Sequence, residues 1–244
     1  MNDLTTAAID LNELSSKLRS VPEKNQIEII AQLANCGDPG IDILIEFLRD
    51  RLEKQPPNLA DSKTYQTLLL ANSLNAKEFL LNHCPRGILP LRSERGIDYY
   101  PLQQLLAQQE FLLADRMTLQ KLCELAGSAT VQRKWLYFTE VESFPSLDLQ
   151  TIDALWWLHS EGKFGFSVQR SLWLATGKKW EKLWDKIGWK TGNRWTRYPQ
   201  EFIWNLTAPP GHLPLSNQLR GVRVISALLS HPAWEEGKSP SPID

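Results

Sequence analysis

The chain has 244 residues, 42% hydrophobic and 23% charged, with a formal net charge of −1. That length suits one large domain or two small ones, and that composition excludes a collagen, a disulfide scaffold or a disordered chain. No apolar run reaches the roughly 18 residues needed to cross a bilayer, and the N-terminal MNDLTTAAIDLNELSSKL lacks the apolar core of a secretory leader and the pattern of a transit peptide. Cys36, Cys84 and Cys123 are widely spaced and form no CxxC. They are expected to be reduced, mostly buried thiols of a cytosolic protein.

In chain order, the apolar spacing predicts a helix over 4–19, ended before Pro22, and a second over 23–34 with Ile27, Ile30 and Leu33 on one face. CGDPG at 36–40 stops it, and a third helix follows over 41–53 with Ile41, Leu44, Ile45 and Leu48 inward. After PPN at 56–58, helices over 61–74 and 76–82 complete an N-terminal bundle, 1–84, with the rhythm of helical-repeat proteins. It carries no site chemistry and is expected to be structural or a docking element. Residues 85–101, rich in proline and glycine, mark a boundary. Ile88, Leu89, Leu91, Tyr99 and Tyr100 are apolar enough that this segment reads alternatively as an ordered strap across the second domain.

The second domain, 85–236, opens with helices over 102–113 and 116–126, with Asp115 as a cap between them and Gly127 as the stop. Residues 131–144 have strand-like composition but no hairpin partner and are read as a loop or short extended segment. Residues 147–173 predict helix, tight turn, helix: Ile152, Leu155, Trp156 and His159 share a face, Gly162 and Gly165 break it, and Ser167 caps the next helix. Helices over 166–176 and 178–187 flank Gly177, residues 188–215 are irregular, and Asn217 to Ser230 forms the last helix. The tail 237–244 is expected to be flexible. The predicted fold class is all-α, an N-terminal helical bundle followed by a larger helical core domain.

A catalytic reading finds little support. Asp148, Asp153 and Glu161 lie close in sequence without an evident base, and Asp148 fits a helix cap or dipole partner. No GxSxG, P-loop or GxGxxG is present, and His83, His159, His212 and His231 lack metal-ligand spacing. His159 fits a core histidine. No enzyme activity and no cofactor are expected.

Charge and tryptophan are distributed unevenly. Residues 1–159 have a balance of −6 and residues 160–230 a balance of +7, which suggests an anionic partner. Eight of the ten tryptophans lie between Trp156 and Trp204, more than a core of this size needs, so some are free to line a binding surface. Over 188–223, Trp189, Trp195, Tyr198, Phe202 and Trp204 interleave with Lys190, Arg194 and Arg197. The loop APPGHLPLSNQLRGVR follows, with Arg220 and Arg223 three apart, able to clamp carboxylates if helical or to be solvated surface charges. Aromatics among cations also describe single-stranded nucleic-acid binding or an anionic-membrane face, and both remain open.

The motifs DLQTID-ALWW, GKFGFSVQRSLW, GW at 188–189 and APPGHLP at 208–214 occur in one order over roughly 85–235. They resemble the genomes-uncoupled family, in its cyanobacterial type. That resemblance implies an all-helical core with an open, apolar concave face. It implies non-catalytic binding of protoporphyrin IX and magnesium protoporphyrin IX, stimulating magnesium chelatase through its large porphyrin-binding subunit in chlorophyll synthesis. By the same resemblance Phe138 and Val141 line the face, Phe166 supports it, and Asn217, Arg220 and Arg223 stand at its mouth with the arginines on the propionates. The residue pattern adds Trp195, Tyr198 and Leu213. No protein metal site is expected; porphyrin-bound magnesium, a hard cation, would take an axial oxygen from Asn217 or water. His212 fits the GHLP turn better than a ligand role. The expected location is cytoplasmic, with peripheral attachment to photosynthetic membranes compatible with the basic aromatic face; nucleic acid is not the expected partner.

Overall fold

A computed structural model describes residues 10–52, 56–215 and 221–235, and the chain divides into two compact units between Ile88 and Leu89. The first unit contains α1 (Leu11–Ser20), α2 (Glu23–Ala34), α3 (Asp38–Leu52), α4 (Leu59–Leu70) and α5 (Leu74–His83). Its helix starts carry the expected chemistry. Asp10 accepts from the Asn12 and Glu13 amides, Asn58 and Asp61 form a capping box, and Ser73 accepts from the Ala76 amide. Ile30, Leu33, Ile41, Leu44, Ile45 and Leu48 are buried, so the faces read from the spacing do turn to the core, except that Ile27 is only partly buried. The α2–α3 turn is tight, and a Cβ at Gly40 would lie 2.0 Å from the Leu33 carbonyl oxygen.

The second unit is built on α6 (Tyr100–Ala107), α7 (Phe111–Ala126), α8 (Ser128–Arg133), α9 (Phe138–Val141), α10 (Ser146–His159), α11 (Phe166–Ala175), α12 (Trp180–Lys186) and α13 (Arg223–Leu229). A two-residue hairpin, β1 (Lys190–Thr191) with β2 (Arg194–Trp195), follows α12, and a 3-10 turn over Pro232–Trp234 follows α13. The fold is all-helical but for that hairpin. Helix α10 is its centre. Leu149, Ile152, Leu155, Trp156, Leu158 and His159 are all buried, so it is surrounded, as a helix apolar on most sides must be. Phe111 stacks on Trp156 at 6.0 Å and meets Phe164 edge-on at 5.4 Å, while the Trp156 indole N–H donates to the Thr118 hydroxyl at 2.9 Å.

Residues 89–99 are the ordered strap, not a free linker. The Asp148 carboxylate, fully buried in the first turn of α10, accepts from the Ser93 hydroxyl, the Glu94 amide at 2.9 Å and the Tyr99 hydroxyl at 2.8 Å. The Arg95 guanidinium donates to the Leu125 and Ser143 carbonyls, and the Arg92 carbonyl accepts from Thr151 at 2.8 Å. Asp148 is therefore more than a cap: it ties a distant segment to the central helix.

Several boundaries differ from the sequence reading. The break in the first helical stretch falls at 108–110, where Gln109 has φ 59°, so Asp115 is inside α7 and not a cap. Residues 131–144 are not extended. Glu140 accepts from the Tyr137 amide, the Thr130 hydroxyl and the Arg133 guanidinium, which folds the stretch into α8, a turn and α9. Ser167 is not the cap of α11. Its amide donates to the Asp153 carboxylate at 2.8 Å, so α10 caps α11 from across the corner. Residues 188–215 are irregular apart from the hairpin, whose turn residue Gly192 has φ 59°. The helix predicted from Asn217 begins only at Arg223: Gly221, at φ 80°, and Val222 precede it, and residues 216–220 lie outside the described residues, as do 4–9 of the predicted first helix and the tail 237–244.

Candidate functional site

Helix α12 places Trp180 and Trp184 four residues apart, hence on one face. Trp173 stacks on Trp180 at 4.8 Å, Trp180 on Trp184 at 5.2 Å and Trp184 on Trp189 at 5.4 Å with planes 5° apart. Trp195, on β2, tilts over Trp184 at 5.9 Å. This indole ladder runs from the buried Trp173 to Trp195, which is 44% exposed. Its outer members line a cavity of ≈ 730 Å³, closed on the other side by Gly221, Val222 and Ile225 at the start of α13 and edged by Lys178, Lys179 and Lys182. A largely apolar cavity of several hundred Å³ with a few polar groups at its edge is the usual form of a small-molecule site.

The floor is held rigidly. The Trp189 indole N–H donates to the His212 carbonyl at 2.8 Å. His212 is buried, with Nδ1 2.6 Å from the Ile187 carbonyl oxygen and Nε2 accepting from the Ile203 amide at 3.1 Å, so Nδ1 carries the proton. Burial holds its pKa below the ordinary histidine value. It is a neutral structural crosslink, as the GHLP turn suggests. Gln169 donates to the Gly211 and Pro214 carbonyls at 3.0 and 2.8 Å, and the Leu213 carbonyl accepts from the Gly165 amide at 3.0 Å. Residues 211–214 are thus stitched to α11 and the corner before it.

The predicted site residues fall into five groups. Trp195 lines the cavity. Phe138, half-buried, and Arg223 come together, the guanidinium 5.5 Å from the ring centroid, one residue along α13 from the cavity wall at Val222. Val141, Phe166 and Leu213 are fully buried in the core cluster, so they support the surface from beneath and do not line it. Their apolar character fits either place, and the tight packing around α10 encloses them. Tyr198, 39% exposed, belongs to a separate aromatic group, edge-on to Trp204 at 5.8 Å, and does not line the cavity. Asn217 and Arg220 lie outside the described residues.

The cavity residues that the sequence does not single out are Trp180, Trp184, Glu181, Ile225 and the three lysines. The i,i+4 spacing of Trp180 and Trp184 is the signal that points to them. Of the cations that it does single out, Lys190 and Arg194 are paired with Glu181 and Glu201. Among the described residues no group of three or more histidine, cysteine, aspartate and glutamate side chains is placed to hold a metal ion, and no helix is long and apolar enough to cross a membrane.

Two buried carboxylates anchor segments of the second unit, Asp153 at the Ser167 amide and Asp115 at the Leu215 amide. Asp153 is pushed up to about 6 by burial, and Asp115 to about 7, also by burial, against the opposing pull of the Leu215 amide it accepts from at 2.7 Å. For Asp115 the unfolded carboxyl titrates near ~3.9. Its folded value is higher, so its contribution to stability is complete below the unfolded value and is lost as pH rises through about 7. His159, lowered to about 3 by burial, acts oppositely below its ordinary range. A comparison with Asp115→Asn isolates the carboxylate. In urea unfolding between pH 4 and 8, the wild type loses stability relative to the variant as pH rises, by on the order of 1 kcal/mol per pH unit until the folded carboxyl ionises. A pH-independent difference would contradict the assignment.

The same chain falls into a known family over most of its length. Residues 92–232 match the GUN4-like family model, and residues 1–85 match the ARM-like repeat domain of the GUN4 N-terminus. The Ycf53-like protein of Synechocystis is 55% identical over 227 residues, covering 93% of this chain and 97% of that protein. The tetrapyrrole-binding protein, chloroplastic, of Arabidopsis thaliana is 39% identical over 142 residues, 54% of each chain. The solved structure of GUN4 from Chlamydomonas reinhardtii matches with a TM-score of 0.56 at 41% identity, covering 60% of this chain and 97% of that one. The chain belongs to the GUN4 family, the family its motifs resemble, and in its cyanobacterial form.

Proposed function

We propose that the protein binds tetrapyrroles without transforming them, taking protoporphyrin IX and magnesium protoporphyrin IX on the surface that runs from the tryptophan groove across the start of α13 to Phe138. One observation carries the reading: a ladder of stacked indoles ends in a groove with a cationic edge. A porphyrin is a flat apolar ring with two propionates at one edge, and this arrangement offers an apolar wall for the ring and cations for the carboxylates. The tetrapyrrole-binding name of the Arabidopsis relative supports the same ligand class. For magnesium protoporphyrin, an axial oxygen from Asn217 or water would suit the hard cation. The bound pigment would serve magnesium chelatase through its large porphyrin-binding subunit, in the cytoplasm and at the periphery of photosynthetic membranes. Incubation with protoporphyrin followed by gel filtration tests the binding: pigment absorbance should co-elute with the protein.

Arg223 lies at the outer part of this surface, exposed, over Phe138. A solvent-facing ion pair contributes roughly 0–1 kcal/mol, so Arg223→Ala is expected to weaken protoporphyrin binding about tenfold or less. Phe138→Ala is expected to weaken it at least as much, since ring burial contributes about 25 cal/mol per Å². The arginine effect should shrink at high salt. Unchanged affinity of Arg223→Ala at low salt would remove Arg223 from the ligand surface.

The second reading, single-stranded nucleic acid on the basic aromatic face, rests on Trp195 lying beside Lys190, whose ammonium is 5.5 Å from the indole. Lys190 is already paired with Glu181, which favours the first reading.

A further inference from the structure

Of the two arginines expected at the mouth, Arg220 lies outside the described residues and Arg223 can be placed. The guanidinium of Arg223 covers Phe138 and does not line the tryptophan cavity. Among the described residues, the positive groups lining the cavity are Lys178, Lys179 and Lys182, from the α11–α12 turn and the first turn of α12, with Glu181 among them.

Three features set this trio apart. All three side chains are exposed, and among the described residues none has an acidic partner within 4.0 Å; the neighbouring Glu181 is held by Lys190. Three like charges within five positions repel one another, a local cost that the Trp173 ring under Lys178 and the neighbouring Glu181 offset only in part. Lys178 also has a left-handed backbone, φ 59°, immediately after Gly177 at φ 68°. Glycine or asparagine would take that conformation more cheaply, yet lysine occupies it, and local rules broken in this way concentrate at functional sites. The turn is fixed, not loose: the Gly177 amide donates to the Leu174 carbonyl and the Lys178 amide to the Trp173 carbonyl, both at 2.9 Å, and the Lys178 ammonium sits 5.6 Å from the Trp173 ring. The backbone therefore holds the charges at the cavity edge before any ligand arrives.

We propose that Lys178, Lys179 and Lys182 form the anion-recognising edge of the tryptophan groove, and that they select flat aromatic ligands carrying carboxylates on one edge. The inference rests on the tetrapyrrole reading above and deepens it by assigning the carboxylate edge to residues outside α13. The ring lies against Trp180, Trp184 and Trp195, with its acidic edge turned to the lysines. An ammonium is a point charge on a flexible stem, so the edge tolerates variation in where the carboxylates fall while still requiring them.

The test uses the full chain, the triple variant Lys178→Gln, Lys179→Gln, Lys182→Gln, and two probes, protoporphyrin IX and its dimethyl ester. A control variant, Lys24→Gln, Lys77→Gln, Lys186→Gln, removes the same charge at positions that do not line the groove. Wild type should bind the free acid more tightly than the ester and lose that advantage at high salt. The groove variant should bind the free acid about tenfold more weakly, as expected for several partly exposed charge pairs, with the ester within about twofold of wild type and the salt dependence flattened. The control should match wild type. Unchanged free-acid affinity in the groove variant overturns the proposal, as does equal weakening of acid and ester or an equal effect of the control. If the wild type binds neither probe, the tetrapyrrole reading itself fails, an outcome distinct from the others.

Discussion

Replacing Gly165 with alanine is expected to lower the stability of the second unit by about 3 kcal/mol or more, one of the largest single-substitution effects short of emptying its core. Two costs combine. Gly165 has φ 129°, a region that L residues rarely enter. A Cβ there would lie 2.6 Å from the Asp153 Oδ1 atom, the same oxygen that accepts the Ser167 amide at 2.8 Å. Asp153 is buried and cannot step aside without releasing the first amides of α11. For a unit of this size the midpoint should fall by roughly 6–12 °C, at ~2–4 °C per kcal/mol. Calorimetry reads it directly, and an unchanged midpoint would mean that the corner between α10 and α11 is looser than described. Because α11 carries Trp173 and leads to α12, the loosened variant should also bind ligand more weakly.

The second large effect concerns binding alone. Trp195→Ala removes an exposed indole that stands over Trp184 and lines the cavity, in a hairpin that contributes little to the core. Stability should change little. Loss of one aromatic contact face should cost about 2 kcal/mol of ligand affinity, roughly thirtyfold. Trp195→Phe should recover part of it, since a smaller ring still offers an apolar face. If Trp195→Ala binds protoporphyrin as tightly as wild type, the ligand does not lie in this groove, and the surface around Phe138 would have to hold it alone.

Periodicity makes the first unit legible. Ile30, Leu33, Leu44 and Leu48 announce their faces, but the break before α5 does not show, since its cap Ser73 falls inside the helix read over 61–74. The central helix is legible too, because Ile152, Leu155, Trp156 and His159 share a face and all are buried. What the sequence does not show is the pairing of distant residues. Nothing local to Asp115 says that it meets Leu215, nor that Asp148 collects Ser93, Glu94 and Tyr99, nor that Asp153 caps α11 in place of Ser167. A short helix such as α9 escapes a periodicity reading because four residues give no period, and the bonds from Glu140 that hold it are side-chain bonds. In the site, the excess of tryptophan is visible in the sequence but its ordering is not. The ladder requires Trp173 from α11, Trp180 and Trp184 from α12, and Trp189 held by the His212 carbonyl to come into line. Spacing makes Arg223 a rim cation; in the fold its neighbour Val222 lines the groove, and the arginine turns to Phe138.

Titrating the intact protein with deuteroporphyrin or protoporphyrin while following tryptophan emission tests the central claim most directly. The four stacked indoles and Trp195 would all lie within energy-transfer range of a pigment in the groove. Deep, saturable quenching is expected at one ligand per chain, with a dissociation constant in the low- to sub-micromolar range, about −8 kcal/mol. Trp195→Ala should shift the midpoint to higher ligand concentration. Emission that falls only linearly with added pigment, without saturation, would contradict tetrapyrrole binding; saturable quenching by single-stranded DNA in its place would establish the nucleic-acid reading instead.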